Sequence, residues 1–320
     1  MSYPIPTHMK NTFKKEGLYK HLVKHLGKNY KKWKSKYANI VGVNITRKTR
    51  DQKQLNRYAV VFHVTEKKEV SSPEFIPPYL TVTYKGEKLK IPTDVVETGE
   101  NELTYIFPGQ NGFEFDLSKF AGSLGPIVTK DRRPYVLSNM HVLGFDELRK
   151  GFRHIEREIH PGDPVDINCE VNNAIRPVGI LQNGIVNAQI DAAVAFIPPH
   201  LQQFIQPMHD VFNVDDPIVL PNEVIKNPFP VHMIGNVSGR RRSFVTSAIG
   251  IATFNYPFGA QTLFNLIQLS PCINAPGDSG CPVYEPTSRR ILGIVLGRDI
   301  KQQFTYVIPY QTIRIALQID

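Results

Sequence analysis

The sequence predicts a mainly β protein in which a basic helix and a small α+β domain precede a larger β body. Three observations carry that prediction. Short apolar runs, several of them alternating, recur along the second half and are broken by turn formers. The chain holds 25 prolines, which suits many short strands and turns better than a bundle of helices. Its basic charge is concentrated at one end. Residues 1–36 contain ten Lys and one acid, Glu16, giving 10 − 1 = +9, the whole formal net charge of +9. The remaining 38 − 10 = 28 bases and 29 − 1 = 28 acids balance, so the body itself is neutral.

The first element, within residues 1–37, is a basic amphipathic helix from about Thr12. Leu18, Leu22, Leu26, Tyr30, Trp33 and Tyr37 recur at spacings of three and four and form one apolar stripe. Gly17 and Gly27 each weaken it by about 1 kcal/mol relative to Ala. Such a helix docks on the body with its lysines in water, meets an anionic surface (membrane or nucleic acid), or recruits a regulatory partner. Docking or partner binding is the reading preferred here.

Residues 38–100 read as a small α+β domain. Ile40 to Ile45, Tyr58 to Val64 and Leu80 to Tyr84 are β-rich, and Lys85-Gly86-Glu87 is a hairpin turn into Lys88 to Ile91. A Pro-rich connection covers Ser71 to Pro78. No chemistry is visible in this domain, so support, regulation or substrate presentation is expected of it. Residues 101–320 form the β body. Val231 to Ile234, Val245 to Phe254, Leu263 to Leu269 and Arg290 to Leu296 read as strands in its second half. Tyr306 to Leu317 reads as a last strand and a C-terminal helix.

The chemistry lies in that body. Asn274-Ala275-Pro276-Gly277-Asp278-Ser279-Gly280-Cys281-Pro282 is a turn-forming stretch ahead of an apolar strand. A glycine there lets the N–H of Gly277 aim at the same point as the N–H of Ser279, and two such donors make an oxyanion hole. Upstream, the apolar run Tyr135-Val136-Leu137 ends in a polar turn and His141. Between the two, Asp191 opens the apolar run Ala192 to Ile197. The order His, Asp, Ser is one of those in which nucleophilic triads occur. His141 would take and return the proton of Ser279, and Asp191 would fix the tautomer of His141.

These residues resemble a trypsin-like (chymotrypsin-fold) serine peptidase. The resemblance covers about Ala121 to Asp320 and rests on Gly122-Ser123-Leu124-Gly125-Pro126-Ile127-Val128, Leu137 to Leu143, Asp191 to Ala195 and Pro276 to Gly280. It is stronger to the intracellular bacterial and plant branch typified by the plant narrow-leaf protease than to digestive enzymes. Gly42-Val43 and Ile91 to Gly99 resemble the small domain that precedes the peptidase in that branch. The resemblance implies a chymotrypsin-like double antiparallel β-barrel, each barrel six-stranded, with the triad in the cleft between them. It places Ile273 at the base of the substrate pocket and Gly293 to Arg298, including Leu296, along its second wall. Ile273 is not the acid that selects a basic side chain. Arg298 departs from the small residues usual there; it either faces solvent or lines the pocket and favours an acidic side chain.

Ile40-Val41-Gly42 is similar to the amino terminus that zymogen cleavage frees in digestive relatives. It lies 141 − 40 = 101 residues before His141, behind a whole domain and with no preceding base, so activation by such cleavage is not expected. Asp278 then needs a different partner or sits in water.

The composition excludes several classes. Three cysteines, Cys169, Cys272 and Cys281, and no apolar leader point to a reducing, cytoplasmic setting without a disulfide framework. Cys281 reads as a packed thiol. No apolar run is long enough to cross a bilayer. No zinc spacing and no phosphate loop occurs, so neither metal nor cofactor is expected. The reading is an intracellular serine endopeptidase acting on a protein or peptide substrate. Its rivals are a protease-fold interaction module without turnover and a binder of anionic surfaces through residues 1–36.

Overall fold

The computed structural model describes residues 17–37, 39–50, 53–68, 75–103, 122–171, 174–203, 212–218 and 229–320. The expected start of the helix at Thr12 and the first half of the Pro-rich connection, 71–74, lie outside these residues. The chain is mainly β, built on two sheets with an N-terminal helix.

Helix α1 spans Leu18–Lys36. Its stripe is where the periodicity places it: Leu18, Leu22, Leu26 and Tyr30 are buried, as is Tyr37 just beyond its end, and Trp33 is half-buried. They pack on strands β1 (Ile40–Arg50), β2 (Lys53–Val64), β3 (Tyr79–Tyr84) and β4 (Glu87–Glu97) through Ile40, Val43, Ile45, Phe62, Leu80, Val82 and Ile91. Gly17 stands outside the helix as its N-cap at φ 75°, so only Gly27 weakens it, and burying several such side chains, each contributing about 1.5–3 kcal/mol, outweighs that cost. Lys85 and Gly86 both adopt positive φ, 48° and 82°, so β3 and β4 join through the two-residue turn that the sequence signals.

This N-terminal module shares a sheet with the body. β1 pairs with β13 (Gly239–Tyr256) at Gly42↔Ala252 and Val43↔Ile251. Ile40 is a fully buried residue at the start of β1, and its N–H donates to the Tyr37 carbonyl.

The second half of the body closes on itself. β12 (Phe229–Gly235), β15 (Pro282–Tyr284), β16 (Ile291–Asp299), β17 (Thr305–Pro309), β14 (Gly259–Ser270) and β13 pair in that order, and β13 pairs again with β12. Every rung is antiparallel, so this is a six-stranded barrel, filled by Val231, Met233, Val245, Leu269, Cys281 and Val295 among others. The expected C-terminal helix, α4, spans Tyr310–Leu317.

The first half is a sheet of β6 (Ile127–Lys130), β7 (Arg133–Ser138), β11 (Asp191–Phe196), β10 (Ala174–Val186) and β8 (His154–Glu156), with β9 (Ile167–Val171) also on β10. It too is six-stranded and antiparallel. Among the described residues no pairing joins its ends, β6 and β8. β10 serves β9 with its first part and β8 with its last, and a register shift at Leu181/Asn183 falls between these parts. One apolar core, including Val136, Leu137, Ala193, Val194, Phe254, Leu266, Ile294 and Tyr306, joins the sheet to the barrel. Helices α2 (Met140–Leu143) and α3 (Phe145–Arg149) follow β7.

Candidate active site

β7 runs antiparallel to β11 with Ser138 opposite Ala193. The chain leaving β7 therefore turns beside the start of β11. Asn139 caps that turn from below, its Nδ2 donating to the Asp191 carbonyl at 2.8 Å. His141 follows in α2, and its ring Nδ1 lies in close contact with Asp191 Oδ2. The Asp191 carboxylate also accepts the backbone N–H of His141 at 3.1 Å and the hydroxyl of Tyr256 at 2.7 Å. Both His141 and Asp191 are 0 % exposed, and a buried carboxylate persists only when its oxygens are satisfied in this way. With Nδ1–H given to Asp191, the basic nitrogen of a neutral His141 is Nε2.

Tyr256 is the residue that sequence reasoning missed. It stands at the end of β13, in the barrel, and reaches across to an aspartate of the other sheet. Its ring lies 6.1 Å from that of His141 at 85° and stacks on Phe258 at 5.1 Å. No local motif marks it, because the contact spans 65 positions of chain.

Ser279 comes from the loop between β14 and β15. The loop packs onto the same corner of β7 as His141. Ser123 organises the junction: its N–H donates to the Ser279 carbonyl at 2.7 Å and its hydroxyl to the Gly277 carbonyl at 2.9 Å. Ser138 Oγ in turn donates to the Ser123 carbonyl at 2.7 Å. Gly280 sits at φ 90°, and a Cβ there would lie 2.0 Å from Ser138 Oγ, so only glycine lets the loop approach. Gly277 takes φ 100°, a backbone conformation that favours glycine. Ser279 is also 0 % exposed, and its hydroxyl donates to the carbonyl of Leu296 at 3.0 Å.

Asp278 is not solvated. It is fully buried and held by backbone amides: Oδ1 accepts Val237 N–H at 2.9 Å and Ser238 N–H at 3.1 Å, and Oδ2 accepts Ala275 N–H at 2.8 Å. The first two donors belong to the turn joining β12 and β13. Gly235 makes room for it, since a Cβ there would sit 2.3 Å from Asp278 Oδ1.

The three residues expected in the pocket are placed differently. Leu296 accepts the Ser279 hydroxyl through its carbonyl. Ile273 is half-buried, and its N–H donates to Thr305 Oγ1 at 3.0 Å. Arg298 does not face solvent: its side chain is 13 % exposed. It donates to Glu102 Oε1 at 2.7 Å and to the Asn274 carbonyl at 3.2 Å, bracing the loop ahead of Ser279. Cys281 is buried, and burial together with nearby Asp278 pushes its thiol well up, away from the reactive thiolate. None of the three cysteines is in a disulfide.

No family model and no curated protein matches the chain. Solved structures do resemble it. A glutamic acid-specific serine protease has 15 % identity and a TM-score of 0.38 over 62 % of this chain and 91 % of that one. Protease A of Thermobifida fusca has 15 % identity and a TM-score of 0.40 over 62 % and 90 %. Cellulomonas bogoriensis chymotrypsin has 15 % identity and a TM-score of 0.38 over 69 % and 96 %. Likeness of this degree says nothing about substrate or activity. Among the described residues no helix is long and apolar enough to cross a membrane.

Proposed function

We propose that the protein is an intracellular serine endopeptidase of the narrow-leaf-type branch, acting through an acyl-enzyme on Ser279. The observation that carries this is the buried His141–Asp191 contact, set at the corner of β7 onto which the Ser279 loop packs. His141 Nε2 accepts the Ser279 proton as Oγ attacks the scissile carbonyl carbon. The resulting oxyanion takes the N–H groups of Gly277 and Ser279. His141 then gives the proton to the departing amine, and water, activated by the same nitrogen, frees the acyl group. Asp191 holds the tautomer and stabilises the imidazolium.

Chain order and packing support these roles. Three cysteines without a disulfide support a reducing compartment. The test is a fluorophosphonate probe on the full chain. Labelling should disappear in Ser279→Ala and fall about 10,000-fold in rate in His141→Ala. Equal labelling of wild type and Ser279→Ala would overturn the assignment.

A further inference from the structure

Strand β5, Asn101–Leu103, lies on the edge of β16 beside the nucleophile. The register is antiparallel: Asn101 faces Asp299, Glu102 faces Arg298 and Leu103 faces Gly297. The strand therefore runs toward Ser279 and reaches the residue next to Leu296, whose carbonyl takes the Ser279 hydroxyl. An extended peptide that adds a strand to this edge would bring its next residue to the nucleophile.

β5 is closely fitted there. Gly297 admits it, since a Cβ at that position would lie 2.2 Å from the Glu102 carbonyl. Glu102 Oε1 accepts Arg298 Nε at 2.7 Å. Leu103 is buried against the core shared by sheet and barrel. Asn101 ties the strand's start to the N-terminal module and to β13, its Nδ2 donating to the carbonyls of Val41 and Thr253 at 3.1 Å each. His141, Asp191 and Ser279 are all inaccessible in this arrangement.

Resting on the peptidase reading above, in which Gly293 to Arg298 form a wall of the substrate pocket, we propose that β5 is an intramolecular occupant of the β16 edge, which a peptide substrate must displace. Substrates are then extended peptides with a carboxylate opposite Arg298, followed by an apolar side chain in the place of Leu103. Arg298 is the specificity-determining residue, and Glu102 stands in for the substrate's acid. The tether makes this competition severe: a strand held on its own chain acts at an effective concentration of about millimolar, so a peptide at micromolar levels loses to it. Displacement of β5 is the step that opens the site.

The test compares fluorophosphonate labelling rates at Ser279 in the full-length wild type, Glu102→Lys and the charge swap Glu102→Arg with Arg298→Glu. The probe is too small to read the position opposite Arg298. Glu102→Lys should label about tenfold faster, and the swap should return to the wild-type rate. Acetyl-Asn-Glu-Leu-amide at millimolar concentration should slow labelling of Glu102→Lys about tenfold, and its Gln analogue should not. Circular dichroism and thermal melting verify that each variant is folded. If folded Glu102→Lys labels at the wild-type rate, or if the Glu and Gln peptides protect equally, the occupied-edge proposal falls and the peptidase stands. If no folded variant labels at Ser279, the peptidase reading falls and takes this proposal with it.

Discussion

At the His141–Asp191 corner, side chains hold side chains. Asp191 is met by the His141 ring and the Tyr256 hydroxyl, with only one backbone N–H among its partners. Around Ser279, backbone amides hold the buried carboxylates. Asp278 rests on three amides, and Asp299, at the end of β16, accepts the N–H groups of Gln303 and Phe304 at 3.0 and 2.6 Å. Both regions are buried. The difference lies in what a mutation can reach: the corner is altered by changing polar side chains, the nucleophile region by displacing its backbone.

The largest effect that separates the two kinds of support is in stability. Burial raises the Asp299 carboxyl to about 6 and lowers His63, buried on β2 near Phe304, to about 4. The two have opposite signs. Asp299 is raised above its unfolded value of 3.8, so its contribution is present below that pH and lost as pH rises to about 6. His63 is depressed below 6.5, so stability is lost as pH falls from there to about 4. Each amounts to about 3 kcal/mol, and between pH 4 and 6 they offset. Denaturant melts of Asp299→Asn relative to wild type should show stability gained as pH rises from 4 to 6. His63→Gln should show the reverse trend. Parallel curves would mean that amide support leaves Asp299 an ordinary acid.

Next comes Gly235→Ala. Its methyl would push Asp278 from its amides and move the loop bearing Gly277 and Ser279. A displacement of about 1 Å costs about 100-fold in kcat/KM. Near wild-type turnover would show that the loop does not depend on this clamp. The smallest effect is expected at the corner. Tyr256→Phe removes one hydrogen bond to a charged group, about 1.5 kcal/mol, and should lower kcat about tenfold with little change in KM. An unchanged kcat would reduce Tyr256 to packing.

The same contrast explains what the sequence makes legible. His141, Asp191 and Ser279 are each flagged by neighbours in the chain, and the stripe of α1 by its period. Tyr256, Ser123 and Glu102 act through contacts 65, 154 and 196 positions apart, which no local pattern encodes. Arg298 is visible as an oddity, but its partner is not. The pairing of β1 with β13 joins residues about two hundred positions apart, so a module that reads as separate in sequence continues the barrel's sheet.

The most direct measurement is to trap the acyl-enzyme. Wild type and Glu102→Lys are mixed with an activated ester of an acetylated Glu-Leu-Ala peptide, quenched in acid and mapped by mass spectrometry. The account predicts one acyl group, on the peptide that contains Ser279, appearing faster in Glu102→Lys and absent from Ser279→Ala. An acyl group on Cys281 or elsewhere, or none on folded protein, would contradict it.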